Sequence, residues 1–286
     1  MSKLEGKIIM VTGGAEGIGY NISDKFLQNG AKTIIILDIN EDKGVEAVNT
    51  LNSKHGDRAA FIKCDVTKDL EAVYDQIIST YKNVDVLVNN AGIADENSIS
   101  RTISINLTAV MEWTMKFWEH MRTDKGGNGG TILNISSELG FLIDPFLVYY
   151  KTSKFAVLAF TKSLGHEYNY NKTGVRVIAL CPGLTHTNLT TKLCCWDEHK
   201  EGLEKIVKSV KWQQADAVGN GALDAIEKAT SGTAWMVTGG QPIQEAPDCV
   251  KLTLHWGRPM FNSGLPWADD DDDDDCLQLR ILNSTL

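Results

Sequence analysis

The chain has 286 residues, a length that fits one large α/β domain or two small ones. Its composition, 43% hydrophobic and 23% charged, is ordinary for a globular protein with a sizeable core. Most of the formal net charge of −9 comes from one run of seven aspartates, Asp269–Asp275, so the rest of the chain is close to neutral. This balance gives no reason to expect nucleic acid or an anionic membrane as a partner.

The sequence also lacks the patterns of membrane and secreted proteins. No stretch reaches the roughly 18 apolar residues that a membrane-spanning helix needs. The first apolar run is short and leads into glycines, unlike a secretory signal peptide. We therefore expect a cytoplasmic protein whose six cysteines are thiols rather than disulfides.

Apolar, β-rich runs alternate with helix-length segments along most of the chain. The predicted strands cover residues 7–13, 33–38, 59–65, 84–90, 130–136 and 175–181, with a weaker seventh at 232–240. Several runs are apolar without alternation, as in strands that are covered on both faces. The pattern predicts an α/β fold with a doubly wound, mostly parallel sheet of about seven strands in a single domain.

Residues 184–212 interrupt this strand–helix rhythm and are expected to cover a site as a lid. We predict that the domain, with its lid, spans residues 1–240 and that 241–268 form a C-terminal segment. Residues 269–286 contain the aspartate run and are expected to form an acidic, disordered tail.

The first predicted strand leads into a glycine-rich turn. In the stretch VTGGAEGIG, glycines stand at Gly13, Gly14, Gly17 and Gly19. Such a turn between a strand and a helix lets the backbone approach a pyrophosphate, whose charge then meets the helix N-terminus. The spacing differs from the common GxGxxG fingerprint, and turn geometry or packing alone would also explain glycines here.

Asp38 ends the second predicted strand, about 20 residues beyond the glycine turn. A carboxylate at this place can accept hydrogen bonds from the ribose hydroxyls of a dinucleotide and would repel a 2′-phosphate. The turn itself contains no basic residue that would attract a phosphate there. This favours NAD over NADP, the alternative being that Asp38 caps the next helix.

The stretch VYYKTSKFAVL, residues 148–158, contains two adjacent tyrosines followed by two lysines. In a helix, residues four apart share a face, whereas neighbours diverge by about 100°. Tyr150 would then lie beside Lys154, whereas Tyr149 lies on another face and Lys151 points elsewhere. An ammonium near a phenol favours the phenolate and lowers the pKa of the tyrosine, although such pairs are also common on protein surfaces.

Together these motifs resemble the short-chain dehydrogenase/reductase family. The chain contains its TGxxxGxG pattern as Thr12–Gly19, NNAG as Asn89–Gly92, YxxxK as Tyr150–Lys154, and PG as Pro182–Gly183. The similarity runs from about Gly6 to Val237 and is greatest to the branch of insect-type alcohol dehydrogenases and 15-hydroxyprostaglandin dehydrogenases. The resemblance implies a Rossmann fold and an NAD-dependent oxidoreductase acting on an alcohol or its carbonyl product.

The resemblance also implies four catalytic residues. The family's serine precedes its tyrosine by about 13 residues, so the register that supplies the lysine selects Ser137 rather than Ser136. Tyr150 would be the general acid or base, Ser137 would bind the substrate oxygen, and Lys154 would lower the tyrosine pKa and bind the nicotinamide ribose. Asn106 matches an asparagine that holds a water in the proton relay; a residue that caps or kinks its helix is the alternative.

Positions that contact the cofactor follow from the same resemblance. Asp65 and Val66 would flank the adenine, Thr187 would contact the carboxamide or pyrophosphate, and Asn89 would be more structural than catalytic. The implied cofactor-binding residues are Gly13, Gly17, Ile18, Gly19, Asp38, Asp65, Val66, Asn89, Ala91, Gly92, Tyr150, Lys154, Pro182, Gly183 and Thr187.

The expected substrate pocket lies above Ser137 and Tyr150 and under the lid. Its apolar residues indicate a hydrophobic alcohol, and no cation is evidently placed to pair with a carboxylate. The residues expected to line it are Leu184, Leu189, Leu193 and Trp196 of the lid and Leu139, Phe141 and Ile143 after the fifth strand.

Other interpretations remain open from the sequence. The chain could bind NAD without catalysis, or it could be an epimerase or dehydratase that uses the same tyrosine–lysine pair. A zinc site is not predicted, since Cys194 and Cys195 are adjacent and poorly directed toward one metal with His199. The resemblance also implies a homodimer or homotetramer that pairs the Asn106 and Tyr150 helices.

Overall fold

The computed structural model describes residues 2–191 and 193–246. The described residues form one sheet of eight strands in the order β3-β2-β1-β4-β5-β6-β7-β8. The strands are β1 Ile8–Thr12, β2 Thr33–Asp38, β3 Ala59–Lys63, β4 Val86–Asn89, β5 Gly130–Ile135, β6 Val175–Pro182, β7 Ala234–Val237 and β8 Gln244–Glu245. All neighbouring strands pair in parallel except β7 and β8, which are antiparallel.

Helices cover both faces of this sheet. They are α1 Gly17–Gln28, α2 Glu41–His55, α3 Leu70–Tyr81, α4 Ile99–Ile103, α5 Val110–Met121, α6 Val148–Leu164, α7 Glu167–Thr173, α8 Asn188–Thr191, α9 Lys200–Ser209 and α10 Ala215–Lys228. A π-helical segment, Ser104–Ala109, joins α4 to α5. No helix among the described residues is long and apolar enough to cross a membrane.

The sheet is apolar on both sides because each face has its own core. On one face, Ile34 and Ile36 of β2 pack in a cluster with Phe26 of α1. On the other face, Ile35 packs in a second cluster with Phe117 of α5. Consecutive residues of one strand therefore serve opposite cores, which explains the uninterrupted apolar runs.

The predicted doubly wound parallel sheet is confirmed, and each of the seven predicted strands corresponds to an observed one. The eighth strand was not predicted, because Gln244 and Glu245 are exposed polar residues without an apolar pattern. The predicted acidic tail, 269–286, and most of the segment 241–268 lie outside the described residues.

The strand order creates a switch point between β1 and β4, whose connections leave the sheet in opposite directions. In open parallel sheets, ligands bind at the carboxyl ends of the strands beside such a point. The glycine turn follows β1, Asp38 ends β2, Asn89 ends β4, Ser137 follows β5, and Pro182 ends β6. The fold thus gathers the predicted site residues at one edge of the sheet.

Candidate active site

The glycine turn after β1 is closely packed. Gly13 and Gly17 have positive φ angles of 61° and 58°, which favour glycine. A Cβ on Gly19 would stand 2.3 Å from the carbonyl oxygen of Gly13. The Asn90 side chain fixes the turn by donating to the carbonyls of Thr12 and Gly13 over 3.0 and 2.8 Å. The turn thus has room for backbone atoms but not for side chains. Helix α1 begins in it at Gly17 and continues with Ile18.

The Asp38 carboxylate lies beside the glycine turn, where Oδ2 accepts from the Ala15 N–H over 3.1 Å. Its other oxygen, Oδ1, accepts from the Asn40 N–H over 3.0 Å. The alternative of a helix cap is wrong, because Asn40 caps α2 by accepting from the Lys43 N–H. Asp38 therefore joins the end of β2 to the turn that a dinucleotide would approach.

The residues after β3 are held by contacts within the protein. Asp65 accepts hydrogen bonds from Thr67 and from the Lys68 ammonium at 2.8 Å, and these bonds lower the pKa of Asp65 to about 2. The Val66 carbonyl accepts from the Trp113 indole N–H over 2.9 Å. Asp65 and Val66, the two residues predicted to flank the adenine, are thus held near the carboxyl ends of the strands, on the same side as Asp38.

Asn89 belongs to a buried polar network. Its amide donates to Thr114 Oγ1 over 2.9 Å and to Asn134 Oδ1 over 2.8 Å, and its exposed fraction is 2%. Nearby, the Ala91 N–H donates to Thr12 Oγ1 over 3.1 Å. These contacts are within the protein and agree with the structural role that was expected of Asn89.

Asn106 lies fully buried in the π-helical segment. Its Oδ1 accepts from the Ile93 N–H over 2.9 Å, and its Nδ2 donates to the Ile93 carbonyl over 2.8 Å and to Ser153 Oγ over 3.2 Å. The side chain thus joins the segment after β4 to α6. A Cβ on Gly92 would stand 3.3 Å from Asn106 Oδ1 and 3.8 Å from Lys154 Nζ, so all three groups are close together.

Ser137 and Tyr150 both line the cavity described below, and hydrogen bonding by the Ser137 hydroxyl lowers the pKa of Tyr150. Ser137 Oγ also accepts from the Leu139 N–H over 3.1 Å. The preceding serine has a different environment, since Ser136 Oγ donates to the Lys154 carbonyl over 3.0 Å and is 3% exposed. Of the two adjacent serines, Ser137 is thus the one that affects the pKa of Tyr150, and its catalytic role stays a prediction.

Lys154 is buried on the same face of α6 as Tyr150. Its Nζ lies 5.5 Å from the centroid of the Tyr150 ring and donates to the Ile135 carbonyl over 2.9 Å. Burial lowers the pKa of Lys154 to about 8. Burial likewise raises the pKa of Tyr150 to about 12, and the hydrogen bond with Ser137 acts in the opposite direction. The predicted lowering of the tyrosine pKa is thus wrong for this structure, because desolvation of the phenolate outweighs the hydrogen bond with Ser137.

A cavity of about 230 Å³ extends from the glycine turn to Tyr150. Of the residues predicted to line it, Leu139, Leu184, Leu189 and Leu193 do so. The other three predicted residues do not line the cavity. Phe141 packs near Leu158 in a separate cluster, Ile143 is 93% exposed, and the Trp196 ring makes an edge-to-face contact with Tyr149. Apolar residues that the sequence did not indicate complete the wall: Leu142, Phe146, Leu147, Leu203, Ile206, Val207 and Val210.

The cavity wall also contains charged groups that the sequence analysis missed. Lys151 forms an ion pair with Asp144, and both residues line the cavity. No cation was expected to be placed to pair with a substrate carboxylate, and Lys151, although it lines the cavity, is already paired with Asp144 of the loop before α6. Glu138, beside Ser137, is a third such group, and burial raises the pKa of its carboxyl.

The lid begins directly above the glycine turn. A Cβ on Gly17 would stand 3.3 Å from the Thr187 side chain. Pro182 ends β6, and the Gly183 N–H donates to the Val237 carbonyl over 2.9 Å. The cavity wall includes Pro182, Gly183 and Thr187, which are therefore close to both the turn and Tyr150.

Comparison with known proteins agrees with this geometry. A family model described as short chain dehydrogenase matches residues 7–198. The 15-hydroxyprostaglandin dehydrogenase [NAD(+)] of Rattus norvegicus is 30% identical over 84% of this chain and 94% of its own. Alcohol dehydrogenase 2 of Ceratitis capitata is 28% identical over 88% and 97% of the two chains.

A solved structure supports the fold independently. NAD+-bound xylitol dehydrogenase superposes with a TM-score of 0.71 at 22% identity, covering 83% of this chain and all of the other. Its similarity concerns the fold alone, whereas the family model and the rat relative extend to the sequence. The chain therefore belongs to the short-chain dehydrogenase family.

Proposed function

We propose that this protein is an NAD-dependent oxidoreductase that transfers a hydride between a hydrophobic, secondary alcohol, or its carbonyl product, and the nicotinamide. One observation carries the proposal: Ser137, Tyr150 and the buried Lys154 line one cavity that reaches the glycine turn, with Lys154 Nζ 5.5 Å from the Tyr150 ring centroid. The printed names of the relatives, an NAD(+)-dependent hydroxyprostaglandin dehydrogenase and an alcohol dehydrogenase, support the same reaction class.

The chain offers a cradle that fits NAD. The glycine turn presents backbone without side chains at the start of α1, where a pyrophosphate would meet the helix N-terminus. The Asp38 carboxylate beside it would accept the ribose hydroxyls and disfavour a 2′-phosphate. When bound, NAD supplies the hydride acceptor. The remaining predicted contacts, from Asp65 to Thr187, are proposed on the family resemblance.

Tyr150 is proposed to take the hydroxyl proton during oxidation and return it during reduction. Ser137 would hold the substrate oxygen against the phenol, as the position of both side chains in the cavity wall favours. Lys154 would stabilise the phenolate electrostatically and contact the nicotinamide ribose. Asn106, which joins the segment after β4 to α6, would support a water-linked proton relay near Lys154.

The walls of the cavity support a largely apolar substrate. Leucine, isoleucine and valine side chains of the lid and of the loop after Ser137 supply most of the surface. The Lys151–Asp144 ion pair and the Glu138 carboxyl add a polar strip. We infer that the preferred alcohol is hydrophobic and has a second polar group, such as a hydroxyl or carbonyl, that can meet this strip.

We also propose a cytoplasmic homodimer. The outer side of α5 presents Met111 and Met115 at 38% and 36% exposure, whereas Trp113 and Phe117 are buried in the core. Next to it on α6, Val148 is 37% exposed. Apolar side chains of this kind on the two helices support pairing with a second copy.

To test the function, the purified protein is incubated with a panel of alcohols and either NAD or NADP, and the absorbance of the reduced nicotinamide is followed. We expect turnover with NAD and a hydrophobic secondary alcohol. Tyr150→Phe removes the proton-transfer group and should lower kcat by at least about 100-fold while NAD binding is retained.

Tyr149→Phe is the matched control for this test. The Tyr149 ring packs against Trp196 at a centroid distance of 5.7 Å, so the substitution should change kcat by less than about threefold. Full activity of Tyr150→Phe would overturn the mechanism. NAD binding without turnover of any alcohol would favour the alternative of a dinucleotide-binding protein that has lost catalysis.

A further inference from the structure

Helix α6, which contains Tyr150, begins without a cap of its own. The residue before it, Leu147, has a left-handed conformation with a φ of 51°, and its side chain makes no capping hydrogen bond. The first N–H groups of any helix have no partner within the helix. At a buried helix start, these groups must be satisfied from elsewhere in the chain.

Glu96 supplies the missing partner from the loop after β4. Its Oε2 accepts from the Tyr149 N–H and its Oε1 from the Tyr150 N–H, both over 2.9 Å. The side chain is buried, with 2% of the residue exposed. A carboxylate that accepts two N–H bonds at a helix N-terminus is also favoured by the helix dipole. One of the two bonded amides belongs to the proposed catalytic tyrosine.

The main chain of Glu96 is bonded to the lid. Its N–H donates to the Cys194 carbonyl over 3.0 Å, and its carbonyl accepts from the Trp196 indole N–H over 2.9 Å. The Trp196 ring also packs edge-on against Tyr149. A single buried residue thus contacts both the start of the catalytic helix and the part of the lid that lies above it.

We propose that Glu96 is a positioning residue, which fixes Tyr150 through the start of α6 and joins that position to the lid segment 193–196. The hydrogen-bonded path runs from Trp196 through the Glu96 backbone and carboxylate to the amide of Tyr150. Misplacement of a reacting group by about 1 Å can cost two orders of magnitude in rate. Glu96 therefore acts on kcat through the placement of Tyr150, without contact to the substrate.

The inference rests on the proposed dehydrogenase activity, and turnover of the wild-type protein tests that activity separately. Glu96→Gln is the decisive variant, because its amide can accept from one N–H while its NH₂ group faces the other donor. We expect kcat to fall by about 10- to 100-fold, with the KM of the alcohol and the Kd of NAD changed by less than about threefold. An unchanged kcat in the folded variant would overturn the proposal.

A second variant covers the case in which Glu96→Gln does not fold. Glu96→Asp keeps the charge but is shorter by one methylene, so its carboxylate reaches the two amides poorly. Its kcat should fall by at least about threefold at temperatures well below its unfolding midpoint. Wild-type kcat in Glu96→Asp would likewise contradict a positioning role.

The link to the lid is tested by a double-mutant cycle. Trp196→Phe removes the indole N–H that bonds to the Glu96 carbonyl, and we expect kcat/KM to fall by about 3- to 10-fold. In the double variant with Glu96→Gln, the loss should be clearly smaller than the product of the two single losses. Multiplicative losses would overturn the link between lid and helix.

Trp235→Phe provides the matched control for that cycle. The Trp235 indole N–H donates to Thr233 Oγ1 over 2.9 Å, on β7 and away from the cavity wall. Its combination with Glu96→Gln should give multiplicative effects on kcat/KM. Coupling of the same size in this control would also count against a specific path through Trp196.

Discussion

At the scale of single residues, burial is the largest cause of the pKa shifts of Tyr150 and Lys154. Tyr150 is 9% exposed and Lys154 is 4% exposed. Burial disfavours the charged form of each, so the pKa of the phenol rises and the pKa of the ammonium falls. The nearby Glu138 charge further raises the pKa of Tyr150. Oxidation of an alcohol should therefore be faster at alkaline pH, where the phenolate is more populated.

Lys154 should also make stability depend on pH. Its pKa falls from 10.5 to about 8 on folding, so the unfolded chain binds this proton more tightly. The resulting penalty is full below about pH 8 and disappears as pH rises through 10.5. Relative to Lys154→Met, the wild-type free energy of unfolding should rise by about 2 kcal/mol between pH 7 and pH 9.5.

Urea denaturation at several pH values measures this difference directly. The upper limit of pH 9.5 keeps the titration of Tyr150, which lies above it in both states, out of the comparison. Lys205→Met, on the exposed side of α9, is the control and should follow the wild type at every pH. Parallel curves for wild type and Lys154→Met would contradict a depressed pKa of Lys154.

Residue spacing in the sequence was sufficient to pair Tyr150 with Lys154, but not to predict the burial of these residues or the loop beside them. Helical periodicity selects Tyr150 with Lys154, because it depends on regular backbone geometry, whereas the choice of Ser137 followed from the serine–tyrosine separation that the family resemblance implies. The direction of the tyrosine pKa depends on burial, and the ion pair of Lys151 depends on the course of the loop that contains Asp144. Neither property has a period in the sequence, so neither could be predicted from it.

At the scale of elements, a buried polar network ties the sheet to the helices around the site. Asn134 on β5 accepts from Asn89 on β4 over 2.8 Å and donates to Thr161 on α6 over 2.9 Å. Thr114 on α5 bonds to both asparagines. The network thus fixes α5 and α6 against the strands that lead to Ser137, and each member is hydrogen-bonded to another.

Asn134→Ala should remove this connection. The substitution leaves buried polar groups on β4 and α6 with fewer partners, which costs about 2–3 kcal/mol in the free energy of unfolding. Denaturant titration measures the loss. Thr50→Ala on the exposed side of α2 serves as the control, with an expected change within about 0.5 kcal/mol. A similarly small effect for Asn134→Ala would show that the network is not needed for stability.

The elements themselves were predictable where a run was long and apolar. β2 and β6 coincide closely with their predicted runs, since most residues inside them are apolar and buried. A kinked helix at Asn106 was considered, but a π-helical segment was not foreseen; its Asn106 side chain bonds to Ile93 and Ser153. Tertiary contacts of this kind leave no local signal in the sequence.

At the scale of the whole molecule, charge and activity are expected to be separable. The aspartates 269–275 account for most of the net charge of −9, whereas the proposed site is built from residues of the family match and the lid. Deleting residues 269–286 should leave kcat/KM unchanged within about twofold and the unfolding free energy within about 0.5 kcal/mol.

Steady-state kinetics and denaturant titration of the chain ending at residue 268, beside the full chain, measure both quantities. Deletion should also move the isoelectric point upward from about 5.2, which shows that the change in charge was achieved. A change in kcat/KM above this limit would contradict an inert tail.

The short strand β8 sets a limit on how far such a truncation can go. Gln244 and Glu245 pair antiparallel with Met236 and Trp235 of β7, and the Ala246 N–H donates to the Ala234 carbonyl over 2.7 Å. An uncovered apolar strand at the margin of a sheet is a template on which another chain can add a strand. The two exposed polar residues of β8 thus cover the apolar strand β7, AWMV, and prevent another chain from pairing with it. A chain cut before residue 246 would lose this protection and would be more prone to aggregate.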